Sequence, residues 1–197
     1  MSNEQLNQEL KMEHTMDRYD ERVGVGRRLG AYIIDFLVLL VLGLLLKSVA
    51  GEFLSTLFFG AQLAEIETSM NQFDGMGFDF EGLMTKVWQI SASTSIITLL
   101  LFILEGLTGQ SIGKMILKIK NTNADGSDAN AQTLWTRAAL KYGSTVLTLM
   151  SGLIGISFIG TIGSFWHLII LIGFFFAFSD KKQTIHDMIA KTVVVRT

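Results

Sequence analysis

The stretch that decides the fold is RRLGAYIIDFLVLLVLGLLL, residues 27–46. Its two arginines are followed by 18 residues whose only charge is Asp35. A run of this length is enough for a helix to cross a bilayer. An Asp at the centre of such a helix costs up to about 3 kcal/mol, whereas each Leu, Ile, Val or Phe contributes about 0.3–0.6 kcal/mol to insertion. The stretch therefore predicts a transmembrane helix that inserts despite its acid.

The composition of the whole chain also indicates a membrane protein. Of its 197 residues, 49% are hydrophobic and 17% are charged, whereas soluble domains carry about 25% charged residues. The chain has no Cys, which excludes disulfides, a thiol nucleophile and cysteine metal ligands. Its net charge of -2 says little, because the positions of the charges decide the behaviour of a membrane chain.

The rest of the chain contains further apolar runs. Residues 87–107 form a second run, and residues 138–178 form a third in which Lys141 is the only charge. Because the third run is longer than one membrane helix requires, it predicts a helical hairpin with a turn near residues 158–160. We therefore expect an all-α membrane protein, a bundle of four transmembrane helices at about residues 29–46, 87–107, 139–157 and 161–178.

Basic residues outside these runs predict the orientation of the bundle. If the N-terminus, residues 108–137 and the tail from residue 179 share one side, all Lys and Arg except Lys47 and Lys86 lie on that side, with Lys141 counted there because it stands at the start of the third span. Short loops rich in Lys and Arg remain in the cytoplasm. The charges therefore predict that both termini are cytoplasmic (N-in, C-in). An even number of spans likewise requires both termini to lie on the same side of the membrane.

The segments outside the spans predict smaller features. Residues 1–21 are polar and lack the apolar stretch of a cleavable signal peptide, so we expect a flexible cytoplasmic segment ahead of a transmembrane domain at 22–197. Residues 53–70 predict either an amphipathic helix on the outer face or an exposed loop, followed by a glycine-rich loop. The alternating residues 114–121 and the β-branched residues 192–197 predict a small cytoplasmic β element in which the two segments pair.

Asp35 is the first candidate functional residue, because an ionisable group inside a span usually faces a protein interior or a water-filled cavity. Arg28 stands seven residues before it and therefore on the same helical face. Their Cα atoms are about 10.5 Å apart along the axis, too far for a firm direct pair. Tyr32 lies between them on that face and could relay a hydrogen bond. The alternatives are that Arg28 is a snorkelling anchor and that Asp35 is a polar lock between helices.

The second candidate segment is GQSIGKM, residues 109–115. It is not a phosphate-binding loop, because Thr108 and Met115 stand where that motif needs a glycine and a hydroxyl. We expect instead a tight turn at the membrane interface, in which Gly109 and Gly113 permit close backbone geometry and Lys114 meets either Glu105 or lipid phosphate.

The third candidate segment is the tail, with Asp180, His186 and Asp187. We expect the adjacent His186 and Asp187 to point to different sides of a helix, which would make them poor catalytic partners. The three histidines lack the spacing of a metal site. The sequence shows no nucleophile, metal or cofactor constellation, so we expect neither an enzyme nor a cofactor, and no nucleic acid as a partner.

The segment GRRLGAYIID, residues 26–35, resembles the opening of the RDD family of integral membrane proteins, named for one arginine and two aspartates. The family's arginine and first aspartate correspond to Arg28 and Asp35. The segment GQSIGKMILKIK resembles the family's glycine, hydroxyl, glycine and lysine stretch, with Ser111 where Thr is common. The segment QTIHDMIAKTVVV resembles its closing segment.

The resemblance runs in order from about residue 22 to the C-terminus, interrupted by an unusually long acidic connection after the first span. It implies that the second aspartate of the family is Asp187, with Asp180 as the alternative. It also implies a bacterial origin and a multi-pass protein of the cell membrane, the inner or cytoplasmic one. Ion or ligand transport has been proposed for the family, and cation/proton antiport is attributed to some members.

Two functions follow as hypotheses. In the first, the chain exchanges small monovalent cations and protons, Asp35 is the carrier, and Arg28 and Asp187 set its electrostatics. Four helices form a small bundle, so a transport pathway would require a homo-oligomer. In the second, the chain is a non-transporting scaffold or accessory subunit, in which a buried Arg/Asp lock fixes the helices and the basic cytoplasmic face binds anionic lipid.

Overall fold

The structure, a computed structural model, describes residues 5–6, 22–70 and 79–197. Nearly all of the expected N-terminal segment and most of the glycine-rich loop after residue 70 lie outside these ranges. Helices dominate the described chain. In chain order its elements are α1 Val25–Met70, α2 Phe80–Thr108, α3 Ile112–Ile116, β1 Ile119–Asn123, α4 Ala131–Ile154, α5 Ser157–Phe174, a 3-10 helix Phe175–Phe178, α6 Ile185–Ile189 and β2 Thr192–Arg196.

Three of the described helices are long and apolar enough to cross a membrane. They cover Val25–Ala64, Phe80–Thr108 and Ser157–Phe178. These ranges contain the expected first, second and fourth spans. The third expected span falls in α4, a helix of 24 residues that carries Arg137 and Lys141 and is not among the three.

Helix α1 is much longer than the span predicted from the sequence. It continues through residues 53–70, so the interpretation of that segment as an exposed loop was wrong, and the alternative of a separate amphipathic helix was wrong in placing a break before it. The chain contains no proline to end the helix, and its one interruption is at Phe59, which leaves helical geometry with φ -135° and ψ 17°. The Phe59 ring is buried against Trp88, with 4.7 Å between ring centroids.

The turn between α4 and α5 lies at Gly155 and Ile156, three residues before the predicted position at 158–160. Gly155 has φ +75°, a left-handed conformation that glycine adopts without steric cost. Its N–H donates to the Ser151 carbonyl at 2.9 Å and closes α4. The glycine on which the prediction depended, Gly160, lies instead inside α5.

The two strands form an antiparallel ribbon, as the sequence predicted. The register pairs Ile119 with Arg196 and Asn123 with Thr192. The apolar side chains beneath the ribbon form a small core of Val23, Ala31, Ile119 and Val194, with Leu117 packed against it.

The chain divides into two compact units, which differ in the chemistry of their interiors. The first comprises the described parts of residues 1–35, 104–140 and 170–197, and it contains the ribbon, both short helices and the buried charged residues identified in the described chain. The second comprises residues 36–103 and 141–169. Its core is apolar, around Phe59, Ala92 and Leu149. Among the described residues, the buried charged side chains therefore lie in the first unit.

Candidate functional site

The short helices α3 and α6 place two charges in the interior of the first unit. Ser111 precedes α3, and its hydroxyl accepts the N–H of Lys114 at 3.4 Å. Thr184 precedes α6 in a capping box, in which its hydroxyl accepts the N–H of Asp187 and its own N–H donates to the Asp187 carboxylate at 3.1 Å. These caps fix the start of each helix. The third helical residue of each, Lys114 or Asp187, is buried as a result.

The Asp187 carboxylate binds two arginines that are distant in sequence. Its Oδ2 accepts from Arg28 Nη1 at 2.6 Å, and its Oδ1 accepts from Arg137 Nε at 2.7 Å. Asp187 is fully buried, and each arginine side chain is at most 4% exposed. The remaining Arg28 donors reach the carbonyls of Val23 and Lys182. One acid thus joins the start of α1 to the start of α4 and to the C-terminal tail.

Glu105 forms the other half of this arrangement. Its Oε1 accepts from Lys114 Nζ, from Arg137 Nη1 and, at 3.1 Å, from Asn121 Nδ2. Lys114 also donates to Asn121 Oδ1 at 2.9 Å. Arg137 therefore bridges the two acids. We call Arg28, Asp187, Arg137, Glu105 and Lys114 the ionic cluster.

Arg137 was not predicted as a site residue, because from the sequence it is one of several basic residues on the flanks of a connection. A signal was present, because Arg137 stands immediately before the apolar run at 138–178 as Arg28 stands before the first span. Asn121 and Thr184 were missed as well, because neither the alternating residues 114–121 nor a hydroxyl residue ahead of a short helix shows which side chains are buried.

Asp35 lies outside the ionic cluster. Its Oδ1 accepts the backbone N–H of Gly113 at 2.7 Å, and its side chain is buried. In the part of the chain that the structure describes, no Lys, Arg or His nitrogen forms an ion pair with it. Gly113 allows this contact because α3 touches α1 directly, and a Cβ at Gly113 would lie 2.1 Å from the Ala31 carbonyl oxygen. Arg28 and Asp35 thus have different partners.

The supporting residues named from the sequence are divided between the interior and the surface. Gly109 has φ +72°, ends α2 and accepts the N–H of Asn121 at 3.1 Å, which ties β1 to that helix. The Tyr32 ring meets the edge of Phe174, with 5.4 Å between centroids, and its role as a relay stays a prediction. Asp180 is exposed, so the tail aspartate in the cluster is Asp187.

His186 and Asp187 do not point to different sides of their helix, and that expectation was wrong. The His186 ring is buried, with Nε2 3.3 Å from Arg137 Nη2 and 3.9 Å from Asp187 Oδ1. The same nitrogen lies 3.0 Å from the Thr184 hydroxyl. The capping box turns the Asp187 carboxylate back toward the start of α6, where the His186 ring also lies.

The Asp187 carboxylate keeps its negative charge inside the cluster. Burial alone would raise the pKa of Asp187, but the positive charges of Arg137, His186 and Arg28 outweigh it and hold that pKa well below its usual range. Asp187 is therefore ionised at neutral pH.

Among the described residues, no group of three or more His, Cys, Asp and Glu side chains is placed to hold a metal ion.

Comparison with known proteins assigns most of the chain to one family. The model of the RDD family matches residues 22–191, which include the whole ionic cluster and Asp35. No curated protein and no solved structure gives a significant match to the chain.

Replacing Asp187 by Asn should destabilise the protein strongly. The change keeps the shape of the side chain but leaves Arg28 and Arg137 buried without their shared negative charge, a loss that costs about 3–5 kcal/mol for buried pairs. Thermal unfolding in detergent measures the effect. Asp180→Asn removes an exposed carboxylate from the same segment and should leave the midpoint unchanged. Equal midpoints for the two variants would contradict a structural role for the cluster.

The lowered pKa of Asp187 also predicts how stability depends on pH. A carboxyl whose pKa is lower in the folded state contributes stability that is fully present above its unfolded pKa, about 3.9, and is lost as the pH falls toward the folded value. The difference in free energy of unfolding between the native protein and Asp187→Asn should therefore decrease below about pH 4, by up to about 1.4 kcal/mol per pH unit. Unfolding curves of both proteins between pH 3 and 7 test this, and a difference that is constant down to pH 3 would contradict it.

Proposed function

The chain belongs to the RDD family of integral membrane proteins, and on that premise we propose that it exchanges small monovalent cations and protons across the membrane with Asp35 as the carrier. The observation that carries the proposal is the contrast between three buried carboxylates of the first unit. Glu105 and Asp187 are held by permanent cations of the ionic cluster, whereas Asp35 has a backbone N–H as its partner.

This contrast matters because a carrier must release the ion that it binds. A carboxylate already paired with a buried arginine cannot give up that partner without leaving an uncompensated charge. Asp35 uses Oδ1 to accept from Gly113, and no hydrogen bond from the described residues reaches its Oδ2. That oxygen is available to a proton or a cation. Ionisable groups within membrane helices commonly belong to such pathways.

The contacts of the first unit support four spans. Strand β1 follows α2, strand β2 follows α5, and the two strands pair, which favours an even number of membrane crossings in the chain between them. If α5 spans the membrane, α4 must span it too. The ion pair of Arg28 with Asp187 supports a position of the start of α1 on the same side of the membrane as the tail, which favours an even number of crossings between these two segments. The basic connections favour the cytoplasm for that side.

Two further features belong to the same proposal. The protein resides in the cell membrane, as its apolar helices and the distribution of its basic residues favour. It acts as a homo-oligomer, because four helices offer little room for an ion pathway between them.

The saturation of the ionic cluster favours a second candidate function, a non-transporting scaffold or accessory subunit. Both acids of the cluster accept from two or more donors, which is typical of a structural lock. In this case Asp35 only caps the N–H of Gly113 and fixes α3 to α1.

Asp35→Asn distinguishes the two functions, because the amide oxygen of Asn can still accept from Gly113 while the side chain can no longer ionise. In proteoliposomes with a pH-sensitive dye, Na⁺, K⁺ or Li⁺ should drive proton movement with the native protein and with Asp180→Asn. Asp35→Asn should fall to the level of protein-free liposomes while remaining folded. Flux that persists in Asp35→Asn would exclude Asp35 as the carrier. If the native protein gives no flux with any of these cations, the scaffold or accessory subunit is the function that remains.

A further inference from the structure

The first unit contains one local structure twice, at a constant separation of 73 residues, from Ser111 to Thr184. Each copy begins with a hydroxyl residue that caps a five-residue helix, Ile112–Ile116 or Ile185–Ile189. A lysine in the left-handed conformation follows, Lys118 with φ +52° and Lys191 with φ +54°, and each copy ends in a strand.

The two copies pair through their strands, and the pairing has approximate two-fold symmetry. At one end of the ribbon the Lys118 carbonyl accepts the N–H of Thr197 at 3.0 Å. At the other end the Lys191 carbonyl accepts the N–H of Ala124 at 2.9 Å. Lys118 and Ala124, the partner of Lys191, are six positions apart in the chain, which places the two lysines about 20 Å apart along the ribbon.

The two copies differ in their inward-facing residues but share their outward-facing residues. The inward positions differ, since Gly113 and Lys114 correspond to His186 and Asp187, each placed for its own contacts in the interior. The outward positions carry the same residues and the same exposure. Met115 and Met188 are 40% and 37% exposed, and Ile116 and Ile189 are both 60% exposed. Interior contacts therefore do not explain why the outward residues are alike.

The two lysines adopt a left-handed backbone conformation that glycine would adopt at a lower cost in free energy. Every non-glycine residue with positive φ in the described chain is a lysine, at positions 118, 182 and 191. An unfavourable backbone conformation that is retained points to a role for the side chain. The side chains of Lys118 and Lys191 are exposed, and neither has a hydrogen-bond or ion-pair partner among the described residues. Lys120, on the same ribbon, is paired with Asp128 at 2.5 Å.

We propose that Lys118 and Lys191 are paired contact sites for the phosphate groups of anionic phospholipids. Short helices with an exposed apolar pair and a lysine beside it suit the membrane interface, where Met and Ile enter the acyl boundary and the ammonium meets the headgroup. Phe175 and Phe178, at the end of a candidate span, are also exposed, at 65% and 66%. This inference does not depend on cation exchange.

The test uses the full-length protein in detergent and measures its melting midpoint with added phosphatidylglycerol or phosphatidylcholine. The native protein should be stabilised more by phosphatidylglycerol. The double variant Lys118→Gly/Lys191→Gly should melt at or above the native midpoint without lipid, because glycine relieves the left-handed backbone, but should lose the rise specific to phosphatidylglycerol. Lys118→Arg/Lys191→Arg and the matched control Lys120→Gln should keep that rise.

Several outcomes would overturn the proposal. Equal stabilisation by both lipids would remove the preference for an anionic headgroup, and a specific rise retained in the glycine variant would place the contact elsewhere. The same rise with inorganic phosphate alone would identify a soluble anion instead of a lipid. A glycine variant that melts below the native protein without lipid would assign the lysines a folding role.

Discussion

The carboxylate of Asp187 joins parts of the chain that are far apart in sequence, and the first unit depends on it. Its two oxygens bind Arg28, 159 residues away, and Arg137, 50 residues away. Charges without water are costly unless they are paired and hydrogen-bonded, so these groups cannot be buried until their partners arrive together. Glu105 repeats the requirement with Lys114 and Arg137. Four helix ends and the tail are thereby held to one another.

The ionic cluster also separates the acids that have arginine or lysine partners from Asp35, which lies outside the cluster. Within it, each acid is paired with two buried cations, which suits a structural role. Asp35 lies one contact away, bound to the backbone of the helix that carries Lys114. In the described part of the chain, Asp35 has no cationic partner, which is the basis of the proposed carrier role. Lys118 and Lys191 are exposed, so the same short segments carry both the buried charges of the cluster and the lipid contacts proposed above.

Much of this arrangement follows from the sequence, and the remainder depends on contacts that a sequence pattern does not record. Apolar runs predicted the long helices, and alternating residues predicted the ribbon. The extension of α1 to Met70 was missed because charged residues were taken to end the helix, although no proline does. The role of Arg137 was missed because a basic residue beside an apolar run is also typical of a topology signal. The repeat of Ser111–Lys118 at Thr184–Lys191 was visible in the sequence, but its meaning depends on which faces are buried.

The measurement that tests the ionic cluster most directly is a double-mutant cycle between Arg28 and Asp187. The free energy of unfolding in detergent would be determined for the native protein, Arg28→Gln, Asp187→Asn and the double variant. If the two side chains form a buried pair, the double variant loses less stability than the two single losses added together, with a coupling of about 0.5–3 kcal/mol. Additive losses would contradict the pair, and with it the convergence of the helix ends on one buried carboxylate.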